Sequence, residues 1–202
     1  NSFTATFTPN DTNYKVENHT IVIAVTQATT VISDFSIADN WDYLEAATGA
    51  SATTNFGEVI FTYTGVDYSS TTLPTEAGTY KVVASVTGNA NYTSATTEAI
   101  EFTINKIDPE YTIPTGLQVV WGEKLSTVAL PDNFSWNNGS QKVTGAIGSS
   151  KFVATYTPAD TRNYNTLTSL LIPVTVIKAT GVITSNKAEL EAGNYIYNGE
   201  VL

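Results

Sequence analysis

Apolar and polar side chains alternate with a period of two along much of the chain. Between residues 79 and 87, Tyr80, Val82, Ala84 and Val86 share one face. Ile100, Phe102 and Ile104 do the same between residues 98 and 104, and Ile172, Val174 and Val176 between residues 170 and 177. Successive side chains of a strand point to opposite faces, so this period predicts half-buried strands. Thr, Val, Ile, Tyr and Phe dominate these segments, as strand formers should. Pro173 cannot donate to a ladder, which places its strand at a sheet edge or its backbone nitrogen outward. Residues 187–192 are the only short candidate for a helix. The chain is expected to be all-β.

The pattern also repeats. Phe152-Val-Ala-Thr-Tyr-Thr-Pro-Ala-Asp160-Thr-Arg-Asn-Tyr164 restates Phe3-Thr-Ala-Thr-Phe-Thr-Pro-Asn-Asp11-Thr-Asn-Tyr14, and a looser copy runs from Val83 to Asn91-Tyr92. Tyr92 and Tyr164 lie 72 residues apart, and each precedes a strand-closing lysine, Lys106 or Lys178, by 14 residues. A fixed period implies a tandem array of small modules. The boundaries drawn from these strands are 1–29 for the back half of a module, 30–107 and 108–180 for two complete modules, and 181–202 for the opening strands of another. The junctions Lys106-Ile-Asp-Pro109 and Lys178-Ala-Thr-Gly181 are short, which predicts little hinge freedom and an elongated array.

The front halves of the complete modules differ. The first carries Ser36-Ile-Ala-Asp-Asn-Trp41, Phe56-Gly-Glu-Val-Ile-Phe-Thr-Tyr63 and Pro74-Thr-Glu-Ala-Gly-Thr-Tyr80. The second carries Tyr111-Thr-Ile-Pro-Thr-Gly116, Trp121-Gly-Glu-Lys-Leu125 and Leu130-Pro-Asp-Asn-Phe-Ser-Trp136. These motifs, with Tyr-Thr-Pro-x-Asp-Thr-x-Asn-Tyr, resemble the bacterial immunoglobulin-like repeats of large Gram-positive surface and adhesion proteins, over essentially the whole chain. The resemblance implies small Ig-like β-sandwich modules at the cell surface or secreted. Each module is short for a seven-stranded sandwich, so a β-grasp-like module is the alternative. The motifs belong to the scaffold and name no ligand.

Composition narrows the chemistry. The net charge of −10 disfavours nucleic acid, whose phosphates attract lysine and arginine, and disfavours anionic membrane surfaces. With no cysteine and one histidine, His19, neither disulfides nor a multi-histidine zinc site can staple the modules. Modules of this size are marginal alone, so contacts between neighbouring repeats are the expected partners in stability. A covalent staple is the other route. Some of the surface domains that this chain resembles carry Lys–Asn isopeptide bonds, and Lys81 with Asn55 is the pair to weigh here.

Pro9, Asp11 and Tyr14, the related Tyr92, and Pro158, Asp160 and Tyr164 are expected to build a turn and tyrosine corner: proline ends the strand, aspartate accepts backbone hydrogens, and tyrosine packs its ring inward. The same aspartates could take part in a Ca²⁺ site, but calcium wants six to eight oxygens and each loop has one carboxylate. Trp41, Tyr43, Trp121 and Trp136 are candidate glycan-facing aromatics, against the plainer reading that they fill cores or module junctions. Trp121-Gly-Glu123 occupies the place of Tyr43-Leu-Glu45 in the preceding module. Asp39, Asp42, Glu45 and Glu58 are scattered, and His19 has no nucleophile beside it, so no catalytic residue is assigned.

The expected function is a non-catalytic stalk or spacer of an extracellular, surface-attached or secreted protein. The alternatives are an adhesin module contacting host glycan or protein, and an accessory domain of a secreted polysaccharide-active enzyme. The incomplete modules at 1–29 and 181–202 have unpaired edges and are expected to associate end to end.

Overall fold

The computed structural model describes residues 2–181. The chain forms two compact units, one from Asn1–Pro109 with Pro158–Asn165, the other from Glu110–Thr157 with the chain from Thr166 onward. Among the described residues the first is built of strands in three sheets and the second of strands in one. Among the described residues the one helical turn is a 3-10 segment at Leu125–Thr127. The candidate helix at 187–192 and all but the first residue of the opening module lie outside the described residues.

In the first unit, β1 (Ser2–Phe7) and β2 (Glu17–Val22) form a hairpin. β3 (Ile32–Ser36) pairs with β5 (Ser51–Thr54), with β4 (Asn40–Asp42) between them in sequence. A larger sheet runs β4-β10-β8-β6-β7, where β6 is Ile60–Gly65, β7 Tyr68–Ser70, β8 Gly78–Val86 and β10 Ile100–Asn105; β9 (Ala95–Thr96) continues along β8. The second unit holds β11 (Leu117–Val120), β12 (Phe134–Trp136), β13 (Gly148–Tyr156) and β14 (Leu167–Ile177), ordered β11-β14-β13-β12.

The alternating positions become the cores. Tyr80, Val82, Ala84 and Val86 of β8 are buried, as are Phe102 and Ile104 of β10 and Ile172, Val174 and Val176 of β14. Trp41, Tyr63, Tyr80, Val82, Phe102 and Ile104 make one cluster. Val119, Leu125, Val128, Val143, Val174 and Val176 make the other. Each aliphatic or aromatic side chain so buried contributes about 1.5–3 kcal/mol. β14 is flanked on both sides, but β11 joins it only from Val174 onward. Pro173 therefore sits just outside the stretch where β14 needs donors on that side.

The two sheets share a plan that fixes which residues correspond. β4 runs parallel to β10, and β11 runs parallel to β14. Gly78 opens β8 opposite Ile104, and Gly148 opens β13 opposite Val176. The Tyr43 amide donates to the Asn105 carbonyl, and the Trp121 amide to the Ile177 carbonyl, both at 2.9 Å. Tyr43 thus corresponds to Trp121, Ala77 to Ile147, and Lys106-Ile107 to Lys178-Ala179. The hairpin fits the same plan: Phe3 opposes Ile21 as Phe152 opposes Ile172. Ile172 is fully buried, whereas Phe3 and Ile21 are 54% and 46% exposed.

Candidate functional site

The Asn-Tyr loops share a local fold. Each begins with a side-chain oxygen that accepts backbone hydrogens just ahead of it, an Asx-turn. The Asp11 carboxylate accepts the Asn13 amide at 2.9 Å. The Asn89 side-chain oxygen accepts from Asn91 and Tyr92 at 2.8 and 3.0 Å. Asp160 accepts from Arg162 and Asn163, both at 3.1 Å.

Two of these loops dock on a segment that lies far away in sequence, with matching bonds. The Ala28 amide donates to the Asn91 carbonyl at 2.8 Å, and the Thr93 amide donates back to the Ala28 carbonyl at 3.0 Å. The Ile107 amide donates to the Asn163 carbonyl at 3.2 Å, and the Asn165 amide back to the Ile107 carbonyl at 2.8 Å. Each is a short parallel bridge, Ala28 with Tyr92 and Ile107 with Tyr164. The residue before each bridge adds a side-chain bond: Gln27 Nε2 to the Asn89 carbonyl at 2.6 Å, and Lys106 Nζ to the Thr161 carbonyl at 2.7 Å. Lys106 therefore follows its strand and also holds the loop of the later repeat.

In the second case the loop, Pro158–Asn165, comes from the later sequence repeat yet belongs to the first compact unit. Asn163 pins it there. Its side chain is 2% exposed, and its oxygen accepts the Ala77 amide hydrogen at 2.7 Å. Its Nδ2 donates to Asp160 at 2.8 Å and to Glu76 at 3.2 Å. A buried amide with its oxygen and nitrogen both engaged stabilises a single arrangement, because any other leaves polar groups dry and unpaired. Arg162 adds a half-exposed ion pair to Glu76 at 3.4 Å, of small energetic weight. The Tyr164 ring meets Tyr43 edge-on at 5.6 Å.

The electrostatics follow these bonds. The Asn163 amide, helped by the Asn163 and Arg162 backbone amides, holds the Asp160 carboxyl below its ordinary value. Burial under the loop, followed by the neighbouring Tyr164, Asp160 and Glu76, pushes the Tyr43 phenol up. The Tyr80 hydroxyl beside Arg162 raises the guanidinium further. Tyr80 also reaches back to the Glu76 carbonyl at 2.9 Å, the backbone bond of a tyrosine corner. Glu76 and Tyr80 both belong to the Pro-Thr-x-Ala-Gly-Thr-Tyr segment, so that segment and the Asp-Thr-Arg-Asn-Tyr loop touch each other here.

The remaining candidates are dispersed. Trp41 is 8% exposed and stacks on Phe102 at 5.1 Å. Trp136 packs against the second core and donates Nε1–H to the Val128 carbonyl at 2.9 Å. Trp121 is 45% exposed. Tyr92 stacks on Phe56 with ring centres 4.1 Å apart, Pro158 is buried, and Pro9 and Tyr14 lie in the exposed first loop, Tyr14 at 70% exposure. Trp41 and Tyr43 line a cavity of about 430 Å³ with Leu73 and Glu76. Asp42 and Glu45 serve the same turn, where the Glu45 carboxylate accepts the Asp42 amide at 3.0 Å. His19 is exposed on β2 opposite Ala5.

No cluster of three metal-ligating side chains occurs among the described residues, and in the Asp11 and Asp160 loops the carboxylate is already engaged by amides. The Lys81 amine lies 3.8 Å from Glu101 in solvent, while Asn55 is held by the Val31 amide and the Thr29 carbonyl. Lysine and asparagine thus have separate partners.

Of the docking residues, Asn163 falls in a motif that recurs in the chain, whereas Glu76 and Ala77 stand in one that occurs once, so repetition alone does not show that they meet. No helix among the described residues is long and apolar enough to cross a membrane. The chain matches no family model, no curated protein and no solved structure.

Proposed function

We propose that this chain is a non-catalytic stalk segment of immunoglobulin-like bacterial repeats, in a cell-surface or secreted adhesion protein, that holds other parts of the protein at a distance. The observation that carries this reading is the twice-made docking of an Asn-Tyr loop on an earlier segment of the chain, at Ala28 and at Ile107. A protein that must transmit load gains from bonds that tie each repeat to the one before it, and such bonds recur by construction in an array. The Glu45 and Asp160 carboxylates act in turns and the Asp42 carboxylate accepts from the Asn105 side chain, which fits a scaffold better than a pair of acid and base groups. A glycan-stacking face needs exposed rings in a row, whereas Trp41 and Trp136 belong to two separate cores. Pulling single molecules by their ends tests the proposal. Discrete unfolding steps that move to lower force in Asn163→Ala are expected. Smooth extension without a step would overturn it.

A further inference from the structure

The turn that follows β12 carries an Asn-Gly pair, Asn138-Gly139. The Gln141 amide donates to the Asn138 carbonyl at 3.0 Å and the Ser126 amide to the Gly139 carbonyl at 2.7 Å, so the bonds that hold the turn fall on carbonyls. Asn138 is exposed. Neither its side-chain amide nor the Gly139 backbone nitrogen has a hydrogen-bond partner among the described residues. Asn137 differs on every count. Its amide donates to the Val153 carbonyl at 3.1 Å, its side-chain oxygen accepts the Thr155 hydroxyl at 2.8 Å, and the residue after it has a Cβ.

We propose that Asn138 is a site of spontaneous covalent modification, deamidation through a cyclic imide, with water as the co-reactant. The Gly139 nitrogen attacks Cγ of Asn138. The new N–Cγ bond closes a five-membered ring, the Cγ–Nδ2 bond breaks, and ammonia leaves with the proton that the Gly139 nitrogen gives up. Glycine suits this step because no Cβ crowds the approach of its nitrogen. Water then opens the ring. Opening at the side-chain carbonyl leaves aspartate; opening at the main-chain carbonyl leaves isoaspartate, whose backbone is longer by one CH₂. The turn also holds the 3-10 segment, through the Ser126 bond and through the Leu125 amide, which donates to the Gln141 carbonyl at 3.0 Å. Leu125 belongs to the second core. A backbone lengthened at residue 138 displaces both acceptors, and either product adds a negative charge, so the second unit loosens as the chain ages.

The folded chain, incubated at mildly alkaline pH and then mapped by tandem mass spectrometry, tests the proposal. The other Asn-Gly pair, Asn198-Gly199, lies outside the described residues, so the change is read on the tryptic peptide of residues 125–142. A gain of about one dalton at Asn138 is expected, as NH₂ becomes OH, with isoaspartate among the products and Asn137 unchanged. Gly139→Ala should slow the gain at least about tenfold, because its methyl crowds the attacking nitrogen. That variant should fold, since a Cβ at residue 139 meets nothing nearer than 3.4 Å. The isoaspartate fraction should unfold at lower urea than fresh chain, and Asn138→Asp, which has the charge but not the longer backbone, at lower urea by less. A folded chain that gains nothing at Asn138, whether or not the chain in urea does, overturns the proposal, as does a gain that Gly139→Ala leaves unchanged. An isoaspartate fraction as stable as fresh chain overturns the loosening. The stalk reading is judged on fresh chain and stands apart from these results.

Discussion

The side-chain oxygen of Asn163 accepts the backbone hydrogen of Ala77 at 2.7 Å, across 86 positions of sequence. The bond is buried, and the amide nitrogen of the same side chain is engaged by Asp160 and Glu76. Asn163→Ala leaves the Ala77 amide without its acceptor, at an expected cost of about 1–3 kcal/mol. Asn163→Asp should cost more at neutral pH, because it sets a third carboxylate beside Asp160 and Glu76. Urea unfolding of the two variants measures both effects.

Acid should act on the same loop. The folded-state pKa of Asp160 is lowered, first by the Asn163 amide. A lowered carboxylate stabilises the fold above its unfolded value of about 3.9 and loses that contribution as pH falls through the folded value. Asp160→Asn removes the contribution and turns an NH₂ toward the NH₂ of Asn163. The variant should therefore be less stable than wild type at pH 7, with a gap that narrows steadily below about pH 4. Unfolding midpoints of both chains at pH 7 and pH 3 give the comparison.

Trp41 and Trp121 should respond differently to truncation. Trp41 is buried on Phe102, so Trp41→Ala should cost about 3–5 kcal/mol. Trp121 is nearly half exposed, and Trp121→Ala should cost under about 1 kcal/mol. Thermal or chemical unfolding would separate the two.

Leu44 offers a stabilising change. It is 71% exposed and holds φ of 68°, in the turn where the second unit has Gly122 at 90°. The left-handed region costs a leucine about 1–2 kcal/mol, part of which glycine returns as unfolded-state entropy. Leu44→Gly should raise stability by about 0.5–1 kcal/mol, read from the denaturation midpoint.

Much of this was legible before any coordinates. Period-two alternation placed Val82, Phe102 and Val174 in cores, because a strand with one wet face has no other solution. The position shared by Tyr43 and Trp121 was visible as well, and the matching bonds to Asn105 and Ile177 express it. Pro173 signals an edge or an outward backbone nitrogen, and β11 joins β14 only from Val174 onward, so at Pro173 the strand lacks that neighbour. The docking of Asn163 on Ala77 was not legible. Its parts stand in two different motifs, and no local rule says that a loop packs on a turn 86 positions earlier. His19, Asp39 and Glu58 gave no signal that any site uses.

Residues 158–165 fold with a body whose other residues end at Pro109. The segment that recurs in sequence and the body that folds are thus out of phase. Heredity copies one and thermodynamics selects the other. A fragment ending at a repeat border, for instance at residue 107, would carry the Ala77 amide and Glu76 without the piece that satisfies them.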